Sequence, residues 1–100
     1  MICALTVRTL KAGTFEDFRA AFMSGIGTDG PPEGWVRFNM VCNVDNPDEV
    51  ICFGFFDGTV EQLRGSAPDE REQQLAAIAP FVESVGADGL YEVVEDFSVS

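Results

Sequence analysis

The chain has 100 residues, enough for one domain with one core, and 46% of them are hydrophobic, which excludes a disordered chain. Seventeen acidic residues against six basic ones give a formal net charge of −11, which argues against nucleic acid and against an anionic membrane surface as partners. There is no histidine, so the commonest general base and the commonest transition-metal ligand are both missing, and neither a metal nor a cofactor is expected.

Ile2-Cys3-Ala4-Leu5-Thr6-Val7 is almost continuously apolar and reads as a first strand. Arg8 and Lys11 interrupt that run, so no signal peptide is expected. Lys11-Ala12-Gly13 turns the chain, and Thr14 opens a helix with Asp17 three residues on, in a capping-box-like spacing. Phe15, Phe18 and Phe22 follow i, i+3, i+7 and place three rings on one face, with Glu16, Asp17 and Arg19 turned away. The helix should fade near Ser24-Gly25. Gly25 to Gly30 spells G-x-G-x-x-G, but a dinucleotide site needs a strand before it and a helix start after it. Here a helix precedes and Pro31-Pro32 follows, so the segment reads as a loop at a pocket mouth.

Trp35 to Val44 alternates as a second strand. Trp35, Arg37, Asn39, Val41 and Asn43 are expected on one face; Val36, Phe38, Met40, Cys42 and Val44 on the other. Asp45-Asn46-Pro47-Asp48 reads as the hairpin turn, since its carboxylates do not match a calcium-loop spacing. Val50 to Phe56 carries no charge and is fenced by Asp48-Glu49 and Asp57-Gly58, the pattern of a strand buried on both faces. Burying each of its Val, Ile and Phe side chains is worth about 1.5–3 kcal/mol. Thr59 with Gln62 starts a short helical turn, and Ser66-Ala67-Pro68 breaks it. Pro68 or Asp69 then opens a longer helix with an apolar stripe of Leu75, Ile78, Ala79, Val82 and Val85, kinked or divided at Pro80 and ended by Gly86. Leu90 to Val99 reads as the last strand, with Tyr91, Val93, Glu95 and Phe97 opposite Leu90, Glu92, Val94 and Asp96.

The order is β-α-β-β-α-β, an α+β ferredoxin-like arrangement with a four-stranded antiparallel sheet. The first and third strands are expected as the central pair, and as a parallel one. Two helices can cover only one face of such a sheet. The other would expose Phe and Ile, so a homodimer packed sheet against sheet is expected, closing a dimeric α/β barrel. Cys3, Cys42 and Cys52 lie in apolar runs without C-x-x-C spacing and read as reduced core cysteines of a cytoplasmic protein. No run approaches the ~20 apolar residues that span a bilayer.

The opening Ile2–Val7 strand, the Gly13-Thr14-Phe15-x-x-Phe18 helix start, the Asp48-Glu49-Val50-Ile51 to Phe55-Phe56-Asp57-Gly58 strand and the Thr59-x-x-Gln62-Leu63 helix start resemble the antibiotic biosynthesis monooxygenase-like group of the dimeric α/β-barrel superfamily. The resemblance implies a small-molecule pocket between the sheet and its helices. It also implies, for some members, oxidation of aromatic polyketide-type molecules by molecular oxygen without metal or flavin. The haem-degrading branch uses a histidine ligand and is excluded here. Arg37 and Asn39 are the candidates for stabilising a phenolate or enolate, and Tyr91 for proton donation or relay. Trp35, Phe15, Phe18 and Phe22 are the candidates for packing a small apolar or aromatic ligand. Two other readings stay open: a non-catalytic ligand-binding or sequestering module, and an isomerase or lyase with Asp57 or Glu49 as base.

Overall fold

A computed structural model describes residues 1–24, 33–66 and 68–97. The Gly25–Gly30 segment lies outside them. The elements are β1 (Ile2–Leu10), α1 (Phe15–Ser24), β2 (Trp35–Asn43), β3 (Asn46–Phe56), α2 (Val60–Arg64), α3 (Pro68–Ile78), a 3₁₀ turn at Ala79–Phe81, and β4 (Val82–Glu92). The strands form one sheet in the order β2-β3-β1-β4, with every neighbouring pair antiparallel. This is the ferredoxin-like α+β order. The central pair β1 and β3 is antiparallel, not parallel: the α1 crossover returns β2 in the direction of β1, and the hairpin then reverses β3.

Residues opposite each other on neighbouring strands share a face, so the register sorts the side chains. Ile2, Arg8 and Leu10 of β1 and Val50, Cys52 and Phe56 of β3 are buried on the face covered by the helices. Phe18 of α1 is fully buried against that face, as its place on the ring-bearing stripe requires, with Phe15 and Phe22 half-buried beside it. The Thr14 hydroxyl donates to the carbonyls of Lys11 (2.7 Å) and Phe81 (3.4 Å), so it ties the start of α1 to the entry of β4. At α2 the capping box forms: Thr59 Oγ1 accepts from Gln62 N at 3.1 Å, and Gln62 Oε1 accepts from Thr59 N at 2.9 Å.

Several sequence expectations are corrected. The hairpin turns at Val44-Asp45, ahead of the Asp45–Asp48 turn read from the sequence, and Pro47 sits inside β3, where the register to β2 shifts. The helix ends at Ile78, because Pro80 offers no N–H to an α-helical ladder; the chain tightens to 3₁₀ and enters β4 at Val82. Val82 and Val85 are therefore strand residues, Leu75 is exposed, and β4 ends at Glu92 well before Val99. All three cysteines are free, but only Cys52 is buried; Cys42 is exposed and Cys3 half-buried.

The fourth correction is at Trp35. Trp35 pairs with Phe56 and Arg37 with Phe55, so two steps along β2 match one step along β3. Val36 is the extra residue of a bulge, which turns Trp35 to the helix side while Arg37 and Asn39 face away. Trp35 stacks on Phe38 with centroids 4.5 Å apart and meets Phe56 edge-on at 5.4 Å. Gly54 lies under this stack: a Cβ there would come within 2.7 Å of the Phe38 ring and 3.0 Å of Trp35. Gly54→Ala should cost about 1–3 kcal/mol through overpacking. It should also shift the emission of Trp35, the only tryptophan, measured by urea titration and steady-state fluorescence.

Candidate ligand-binding site

The helix-covered face is packed at its two ends and low in its middle. At one end Leu10, Phe18, Val50, Cys52 and Ile78 form a buried cluster, with Phe15, Phe22, Met40, Phe81 and Val82 packed against it. At the other, Ile2, Phe56 and Leu63 form a second cluster with Trp35, Val60 and Leu90. Between them the central strands place Ala4, Thr6 and Gly54, which belong to neither cluster. Ala4 and Thr6 are only half-buried although they lie on β1, a central strand, and face the helices. Phe38, on the same face, is 41% exposed. Gly54 is covered by Phe38 and Trp35, but Ala4 and Thr6 stay half-exposed between the two packed ends, and this low stretch, the floor, is the candidate site.

Two polar features border it. Thr6 Oγ1 donates to Asp88 Oδ1 at 3.1 Å, and Arg71 Nη2 of α3 stands 4.0 Å from the same oxygen. The second feature is Arg8, only 6% exposed. Its guanidinium carbon lies 5.8 Å from the Phe18 ring centroid, a cation–π contact, and its charge lies near enough to the Cys52 thiol to pull that group's pKa down. Cys52 is the ladder partner of Thr6, so the guanidinium leans toward the floor. Its Nη1 is buried and has no hydrogen-bond partner among the described residues. The ion pairs of the described residues, Glu16–Arg19 and Arg71–Asp88, are exposed and do not include it.

Cys52 does not neutralise Arg8. Burial pushes the thiol above its usual range, and the charge of Arg8, which pulls the other way, does not offset it. Burial alone raises Cys3.

The residues singled out from sequence fall on both sides of the sheet. Trp35, Phe15, Phe18 and Phe22 are on the helix side. Arg37, Asn39 and Tyr91 are on the other. Arg37 Nε donates to Asn39 Oδ1 at 3.1 Å. Tyr91 is half-exposed, and its ring folds back over Gly89. Arg37, Phe55, Cys3 and Tyr91 form one row across the four strands, which puts Arg37 and Tyr91 three strand spacings, about 14 Å, apart. Asp57 is exposed at the strand end, where its N–H donates to Gly34 O, and Glu49 Oε1 accepts from Asn43 Nδ2 at 3.1 Å. Sequence reasoning missed Arg8, Thr6 and Asp88. Extending the first strand to Leu10 reveals Arg8 in period-2 register with Ile2, Ala4 and Thr6; Asp88 was hidden by reading Val82–Gly86 as helix.

No group of three or more His, Cys, Asp and Glu residues placed to hold a metal ion occurs among the described residues. No helix among them is long and apolar enough to cross a membrane.

The fold is that of a ferredoxin-like α+β protein with helices on one face of its sheet. Among solved structures it is similar to proteins named antibiotic biosynthesis monooxygenase. One, from Chloroflexus aurantiacus, is 12% identical with a TM-score of 0.77, covering 99% of this chain and 98% of that one. Another, from Nitrosomonas europaea, is 14% identical with a TM-score of 0.78, covering 95% and 100%. SnoaB, a cofactor-independent oxygenase from Streptomyces nogalater, is 14% identical with a TM-score of 0.71, covering 95% and 94%. At such identities the likeness shows a shared fold. No protein-family model and no curated protein matches the chain by sequence.

The raised thiols set a pH dependence. The unfolded chain loses the Cys3 and Cys52 protons at the ordinary thiol pKa, about 8.5, while the folded chain still holds them. Their contribution to stability is therefore full below that pH and is lost as pH rises through the higher folded values. Urea titrations from pH 7 to 10 should show this fall, and the Cys3→Ala/Cys52→Ala double variant should flatten it.

Proposed function

We propose that the chain binds a small apolar or aromatic molecule on the helix side of its sheet, works as a sheet-to-sheet homodimer, and oxidises its ligand without a cofactor. The observation that supports the binding site is the half-exposed stretch of Ala4 and Thr6 between two packed clusters, with the aromatic residues Trp35, Phe15, Phe18 and Phe22 in the clusters on either side. The dimer is supported by the opposite face. There Leu5, Val7, Ile51, Phe53 and Phe55 of the central strands are left half-buried by a single chain, and Val41 on β2 is exposed. A second copy covering this face removes a continuous apolar surface from water.

The oxygenase reading draws on the fold shared with SnoaB and is an analogy of fold. In such a reaction an acidic aromatic substrate gives up a proton and its carbanion or phenolate reduces molecular oxygen. A ring methylene becomes a ketone with one oxygen atom, and the other leaves as water. Arg37, Asn39 and Tyr91 face away from that site, so a catalytic role for them requires the reacting molecule to bind on the outer face instead. Thr6–Asp88 favours a second reading, an isomerase or lyase with Asp88 as the carboxylate base at the floor, in place of Asp57 or Glu49.

Oxygen uptake with an anthrone is the discriminating assay. Turnover that falls at least tenfold in Arg37→Ala and Asn39→Ala assigns catalysis to the outer face. Unchanged uptake leaves these residues as interface groups. Saturable binding without uptake supports a sequestering module. Loss of an acidic pH limb in Asp88→Asn supports the lyase or isomerase. For the dimer, sedimentation velocity at micromolar concentration should give twice the chain mass for wild type and a monomer for Phe53→Glu; a wild-type monomer would overturn it.

A further inference from the structure

Two open grooves of the described surface lie against α3. They are lined by Asp69, Glu72, Gln73 and Ala76, and by Ser24, Glu70, Gln73, Gln74 and Ala77. Their linings are mostly carboxylate and amide side chains, and neither holds a buried group without a partner. Arg8 is different. A guanidinium cannot shed its proton, so burial leaves it charged. A buried charge with an unpaired donor is costly unless a counter-ion or hydrogen bonds satisfy it. Among the described residues, Arg8 stands against the Phe18 ring and the protonated Cys52 thiol.

We propose that Arg8 anchors an anionic oxygen of the bound molecule, a carboxylate, phenolate or enolate carried on a small aromatic ring that lies over Ala4, Thr6 and Cys52. This rests on the helix-side binding site proposed above and names the charge of its ligand. The donor is near the proposed ligand: Arg8 acts on Cys52, which lies across the ladder from Thr6, and its buried Nη1 has no hydrogen-bond partner among the described residues. The surroundings make the assignment sharp. A chain of net charge −11 repels anions at long range, so any preference for an anion over its neutral analogue needs a local cation.

The probe pair is 1-hydroxy-2-naphthoate and its methyl ester, titrated by calorimetry against the full-length protein. The acid should bind wild type about tenfold or more tightly than the ester, the range of a hydrogen bond to a charged partner. Arg8→Met should erase that preference while still binding the ester, and Arg8→Lys should keep part of it. Arg8→Met should melt no lower than wild type, because it removes an unpaired buried charge. The Arg8 side-chain N–H resonance, assigned by its loss in Arg8→Lys, should move with the acid and not with the ester. Equal binding of acid and ester to wild type overturns the anchor and leaves the binding site standing. Binding of neither probe overturns both. A preference that survives Arg8→Met overturns the anchor, and so does an Arg8 resonance that ignores the acid. The last measurement reads the wild-type protein, with Arg8→Lys serving only to assign the resonance.

Discussion

The packing of α1 and α3 on the sheet depends on the Phe18 ring. It is the largest side chain with no exposed surface, and it joins α1 to Leu10 and Val50 on the two central strands and to Ile78 at the end of α3. A ring buried this completely is worth about 3 kcal/mol in transfer free energy, a large share of the net stability of a domain this size. The same ring is the lid over the Arg8 guanidinium. The residue that closes the core thus also covers the one buried charge among the described residues, and the hydrophobic and electrostatic parts of the fold meet at this contact.

Much of this was legible from residue types alone. Val50–Phe56 was readable because an uncharged β-branched and aromatic run has few alternatives in a chain of this length, and Phe15, Phe18 and Phe22 because their spacing is helical. Thr59 and Gln62 announced a capping box that forms. The failures have equally local causes. Ile78, Val82 and Val85 keep helical spacing across Pro80, and valines fit strands as well as helices, so pattern alone extended the helix into β4. A bulge adds one residue without any compositional mark, so the side of the sheet that Trp35 takes could not be read from alternation. Arg8 looked like the end of an apolar run, because a lone cation in a sequence is ordinarily a solvated one.

The two polar sites differ in what their surroundings do to charge. Thr6, Asp88 and Arg71 sit where water reaches them, so their pairing is screened and worth little by itself. Arg8 sits where water does not, and its interactions are correspondingly strong. The raised Cys52 thiol belongs to the same environment. A low-dielectric pocket that keeps a thiol protonated beside a cation also strengthens any anion that reaches that cation.

The division of the helix face bears on motion as well as on binding. Two clusters that share a sheet but not side-chain packing are linked mainly through the backbone ladder between them. Such an arrangement lets each end of the molecule open by itself, the α2 end with its short helix more readily than the end held by Phe18. Were the proposed ligand seated between them, it would touch both clusters at once and turn two local opening units into one cooperative unit, so occupancy would be felt as rigidity well beyond the atoms in contact.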